Sequence, residues 1–168
     1  MSVKGDTATR ILDAAEALFA DFGYDAVSIR AITDRADVRL NLLHYHFGTK
    51  EALFEAVIAR RISALNTCRC EALNEVSADA GPDAVAAILS AFVRPYLNLA
   101  AGGDDGWTSY AKLIAQISQS NRHLPLLQMH SDETAQLFIT ASHRALPQAP
   151  RNDVVRAFLF TAALLVSV

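Results

Sequence analysis

Residues 28–51 read SIRAITDRADVRLNLLHYHFGTKE, and the fold is decided there. The stretch divides into two short helical phrases with a corner between them. Ser28 offers a hydroxyl to the free N–H groups of a helix start, and Ile29, Ile32 and Ala36 recur on one inward face. Asp37 follows where the chain must turn, and Asp is one of the few residues besides Gly that enters the left-handed region at modest cost. The second phrase runs from Val38 or Arg39 to about His46, with Val38, Leu43 and Phe47 facing inward. Leu40, Asn41, His44 and Tyr45 are left facing outward. That set is odd for a solvated helix and sensible for one lying in a major groove. Asn pairs bidentately with adenine, Leu meets a thymine methyl, and Tyr and His donate to phosphates.

The same punctuation continues on both sides. Upstream, a helix is expected from about Thr7 to Phe22, capped by Asp6 or Thr7, with Ile11, Ala15, Leu18, Phe19 and Phe22 on one stripe. Asp13, Glu16 and Asp21 are expected to face away from it. Gly23 takes the left-handed C′ position and Tyr24 folds back on the last turn. Downstream, Phe47-Gly48-Thr49 breaks the second short helix, and Thr49 caps a long one through Leu53, Phe54, Val57, Ile58, Ile62 and Leu65. Ser77–Asp83 reads as a loop, with Pro82 at a helix start. A fifth helix carries Val85, Ile88, Leu89, Phe92 and Tyr96, with a kink expected at Pro95. Gly102–Gly106 reads as a linker, and three more helices follow from Trp107, Leu124 and Asp153. No segment alternates like a strand, so the fold class is all-α: a three-helix reading head, residues 1–50, and a larger helical body, residues 51–168.

The 168 residues are 52% hydrophobic and 20% charged, enough apolar material for a real core, and the net charge of −3 argues against a bulk polyanion binder. A DNA reader of this composition must gather its cations locally. Residues 28–62 carry six basic side chains (Arg30, Arg35, Arg39, Lys50, Arg60, Arg61) against four acidic ones, whereas the tail beyond residue 62 carries seven against nine. Cys68 and Cys70 point to different faces of a helix, so neither a disulfide nor a shared metal is expected, and reduced thiols fit a cytoplasmic protein. The opening MSVKGDTATR has no apolar signal core. Ala157–Val168 is the most apolar stretch and is too short to span a membrane. It ends without Gly, Asn or a basic residue to close a helix, which leads us to expect that the chain continues.

Residues 9 to about 60 resemble the TetR family of bacterial transcription regulators. The marks are Ser28-x-x-x-Ile32, Ala36-x-Val38 and Tyr45-His46-Phe47-Gly48-Thr49-Lys50-Glu51-x-Leu53. The resemblance implies that Ser28, Tyr45, His46 and Lys50 bind phosphates, while Arg39, Leu40, Asn41, Leu42 and His44 approach bases. Each has an ordinary alternative: His46 or Tyr45 as packing, Lys50 as a solvated lysine. Three positions depart from the family pattern. Asp37 replaces the usual turn Gly, His44 a common Tyr, and Arg39 a capping Ser or Asn.

The resemblance further implies a homodimer formed through the last helices, here Asp153–Val168 with Val154, Val155, Phe158, Leu159, Ala162, Leu165 and Val166. It also implies a double-stranded DNA operator, palindromic because two heads sit on one duplex, and a small lipophilic or aromatic effector. Phe92, Tyr96, Trp107, Tyr110, Ile114, Ile117, Met129 and Phe138 are the expected effector contacts. The long fourth helix joins head to body, so its tilt would carry the effector signal and release the operator. No cofactor, metal or membrane partner is expected. An enzyme is disfavoured: neighbours such as Ser142-His143 or His130-Ser131-Asp132 do not face one another on a helix, and no strand-turn-helix elbow holds a serine. His44-x-His46 is poorly spaced for one metal. The remaining alternative is an interaction adaptor that kept the head fold without operator binding.

Overall fold

The computed structural model describes residues 6–77, 81–102 and 104–166. Residues 1–5, 78–80 of the expected loop, Gly103 of the expected linker and the last two residues lie outside the described residues. Among the described residues eight helices carry the fold: α1 (Thr7–Phe22), α2 (Ile29–Ala36), α3 (Leu40–Phe47), α4 (Lys50–Asn74), α5 (Pro82–Gly102), α6 (Asp105–Ser118), α7 (Leu124–Ala145) and α8 (Arg151–Leu165). No strand occurs among the described residues.

Capping sets where the helices begin. The Thr49 hydroxyl accepts from the Ala52 N–H at 3.1 Å to open α4, and the Asp104 carboxylate accepts from the Trp107 N–H at 3.1 Å to open α6. Pro82 stands at the start of α5, where its missing N–H costs nothing. Pro95 lies buried inside an unbroken α5. That helix is also long and apolar enough to cross a membrane, but it turns Ile88, Ala91, Phe92 and Tyr96 into the body.

One continuous core runs from Ile11 to Leu165, through head and body alike. α1 packs on α2, α3 and α4, and α6 lies along it as well. α4 leaves the head on Leu53, Phe54, Val57 and Ile58 and enters the body on Ile62, Leu65 and Arg69. α5 and α7 pack against its far half, and α8 lies on α7.

Two expectations for α1 are corrected. Glu16 does not face away: it is 2% exposed and is gripped by two arginines of α4. Phe22 does not join the apolar stripe and is 64% exposed. The reason is Gly23, whose positive φ of 78° turns the chain so that Tyr24 occupies the slot instead. Its ring stacks on Phe19 at 5.7 Å and meets the edge of Phe54 at 4.7 Å.

Candidate nucleic-acid interface and effector cavity

The corner between α2 and α3 is built by local chemistry and closed from a distance. The Ser28 hydroxyl accepts from the Ala31 N–H at 3.1 Å, which opens α2. Asp37 closes it at φ 51°, ψ 53°, the single non-glycine residue with positive φ among the described residues. Arg10 of α1 then reaches over the end of α2 and donates to the carbonyl oxygens of Ala36 and Asp37, the latter at 2.7 Å. These bonds satisfy carbonyls that a helix C-terminus otherwise leaves open. Arg10→Ala should lower stability by about 1 kcal/mol, discounted because the side chain is partly exposed. Urea unfolding that leaves the midpoint unchanged would show that this clamp is idle.

Across the corner, α3 buries Leu43 completely and exposes Leu40, Asn41, Leu42, His44, Tyr45 and His46. Tyr45 is 82% exposed and Leu40 51%. Arg39 stands at the N-cap without a side-chain cap bond, so its guanidinium is free to point outward. His44 is restrained: its Nδ1 lies 2.7 Å from the Gly48 carbonyl oxygen. A carbonyl accepts only from a protonated nitrogen, so the neutral ring presents Nε2 as an acceptor. The His46 ring meets Tyr45 edge-on at 5.1 Å and Phe47 at 6.1 Å. Lys50 is half-buried in the first turn of α4, with its ammonium 4.2 Å from the centre of the Tyr24 ring. A lysine on the first turn of a capped helix is a setting that favours anions.

The cation set of the head is smaller than the charge count implies. Arg60 and Arg61 point inward to Asp13, Glu16 and Asp104, so their charges are spent within the protein. Arg30, Arg35, Arg39 and Lys50 remain, and Arg30 is only loosely held by Asp34 at 3.9 Å.

A half-open cavity of about 480 Å³ lies in the body between α4, α5, α6, α7 and α8. Of the eight expected effector contacts, Phe92, Tyr96, Tyr110 and Ile114 line it. The other four do not. Trp107 faces the head side of α6, where the Arg61 guanidinium sits 5.0 Å from its ring. Ile117 is buried off the wall, Met129 is 58% exposed, and Phe138 is sealed between Phe92 and Phe158. Arg69 lies on the wall and was missed. The signal for it exists, because Ile58, Ile62, Leu65 and Arg69 recur at steps of four, three and four along the buried stripe of α4. A second hollow of about 550 Å³ between α4 and α7 is lined by Cys70, Glu71, Glu133 and other mostly polar groups.

Residues 11–57 match the family model described as bacterial regulatory proteins, tetR family, and residues 90–168 match that of a tetracyclin repressor-like C-terminal domain. The chain belongs to the TetR family. The transcriptional repressor KstR of Mycobacterium tuberculosis is 40% identical over 72 residues, covering 43% of this chain and 30% of that protein. The A-factor receptor protein of Streptomyces griseus is 38% identical over 55 residues, or 33% of this chain and 20% of the receptor. The matched stretches thus span less than a third of those relatives. Among solved structures, the fatty acid degradation regulator FadR from Bacillus halodurans superposes with a TM-score of 0.75 at 17% identity, covering 99% of this chain and 85% of that one. PfmR from Thermus thermophilus gives 0.66 at 18%, covering 93% and 82%. At such identity the likeness establishes a shared fold. In this TetR-family chain the two family models together take in most of the head and much of the body.

Proposed function

We propose that the protein is a transcription repressor that binds a palindromic operator as a homodimer and leaves it when a small ligand enters the body. The observation that carries this reading is the outer face of α3. Six side chains on its two turns are exposed across a tight corner from α2, and two of them are leucines. A solvated helix gains nothing from Leu40 and Leu42 there, whereas a groove wall offers thymine methyls to them and an adenine edge to Asn41. In this reading Ser28, Tyr45, His46 and Lys50 hold phosphates, and Arg39, Leu40, Asn41, Leu42 and His44 face the bases.

Two further features support it. α8 turns Leu159, Phe160 and Leu164 outward, each more than half exposed, which is the apolar surface a second copy would cover. The cavity wall is built from α4 and α6, and both helices hold α1. Besides the long α4, the Gln116 side chain of α6 donates to the Ala20 carbonyl at 2.9 Å, so the signal has two routes into the head. A differential affinity of about 1–3 kcal/mol between the two head placements suffices for a roughly 5- to 150-fold change in operator binding.

The test is a shift of a labelled fragment from the region upstream of the gene. Asn41→Ala should cost about 1–3 kcal/mol per half-site and relax discrimination at one base position. Lys50→Ala should weaken all sequences alike and flatten the salt dependence. A wild-type protein that shifts no upstream fragment, or an Asn41→Ala protein indistinguishable from it, refutes the reading.

A further inference from the structure

Arg69 is a charged group that the reading head does not explain. It is 8% exposed and stands on the wall of the body cavity. Its guanidinium packs 3.8 Å from the centre of the Phe92 ring, and Nε donates to the Phe92 carbonyl oxygen at 3.0 Å. Those contacts use one of five donors and supply no counter-charge. The remaining nitrogens make no hydrogen bond or ion pair with any described residue. Asp132, the one acid on the wall among the described residues, is exposed and does not reach ion-pair distance. Burial lowers the Arg69 pKa to about 10, opposed by the neighbouring Tyr110 and Tyr96, so the side chain is still a cation at neutral pH. The contrast within the chain is direct, because the two other inward-pointing arginines of α4, Arg60 and Arg61, both close on Glu16. A buried cation without a partner is costly, and it persists where something else supplies the anion.

We propose that the cavity takes an amphipathic monocarboxylic acid, with its carboxylate on the free fork of Arg69 beside Tyr96 and Tyr110 and its apolar body along Ile62, Leu65 and Ile114. This deepens the effector-site reading above and rests on it. One carboxylate is matched to the site in two ways. The planar fork takes two oxygens side by side. Among the described residues Arg69 is also the single basic one on the wall, so a dianion would leave one buried charge unpaired.

Calorimetry on the full chain without DNA, using decanoate and 1-decanol as probes, tests the assignment. Decanoate should bind about tenfold or more tightly than the alcohol. Arg69→Met should bring the acid to the level of the alcohol, and Arg69→Lys should keep part of the preference. Melting curves establish that each variant is folded; should Arg69→Met fail to fold, the wild-type preference and Arg69→Lys still decide. The proposal is overturned if wild type binds the two probes equally or neither, or if folded Arg69→Met keeps the acid affinity. Decanoate that binds through Arg69 yet leaves the operator shift intact would refute ligand-controlled release while the Arg69 assignment stands.

Discussion

Replacing Phe54 with alanine should remove about 3–5 kcal/mol of folding free energy, the loss that follows when a large ring is cut from a closed core. Phe54 is 2% exposed and stands on the second turn of α4, where head and body meet. Its edge faces Phe19 at 5.1 Å and Tyr24 at 4.7 Å, and the His123 ring lies 4.9 Å away. Four rings from α1, the α1–α2 turn, α4 and the start of α7 thus share one joint. Against a total stability of about 5–15 kcal/mol, such a loss leaves a marginal protein. The damage should also reach the DNA side, because Tyr24 is the ring under the Lys50 ammonium. Urea unfolding of Phe54→Ala and Phe54→Leu measures it. A cost below about 1.5 kcal/mol for the alanine variant would mean that the joint repacks and is not what fixes α4 to the head.

Glu16→Ala should be nearly as damaging, at about 3 kcal/mol, for an electrostatic reason. The carboxylate is 2% exposed and accepts from Arg61 Nε at 2.8 Å, Arg61 Nη2 at 2.7 Å and Arg60 Nη2 at 2.9 Å. Taking it away leaves two neighbouring guanidinium groups of α4 at the vacated site, with only the exposed Asp13 and Asp104 carboxylates to answer them. The same space is closed on the other side by Gly106, where an added Cβ would fall on the Arg61 guanidinium. Gly106→Ala should therefore disturb the same clasp without removing a charge. A double-mutant cycle of Glu16→Ala with Arg61→Met isolates the pair, and the double variant should be less destabilised than the single one. Equal and additive losses would show that the three groups do not act together.

The head was legible because its rules are local. Ser28 and Thr49 cap the helices that they precede, Asp37 takes the left-handed corner, and the helical period separates buried Leu43 from exposed Asn41, His44 and Tyr45. What was misread depends on partners far along the chain. Glu16 looks like a solvent-facing charge until Arg60 and Arg61, more than forty residues later, are brought against it. Trp107, Ile117, Met129 and Phe138 are apolar or aromatic residues on helices that do form. Which side of each helix meets the cavity is set by the packing of α4, α5 and α7, to which periodicity is blind. Arg69 is the opposite case: its phase on the buried stripe of α4 was readable from the steps of four, three and four that lead to it.

The Glu16 clasp has a consequence for how this protein responds to ionic strength. Phosphate contacts from exposed cations weaken steeply as salt displaces them, while a carboxylate shut away from water feels little screening. Raising the salt concentration should thus lift the protein off DNA with α1 still fastened to α4. Dissociation by salt and dissociation by an effector would then leave two different conformations in solution, and small-angle scattering on the released protein can tell them apart.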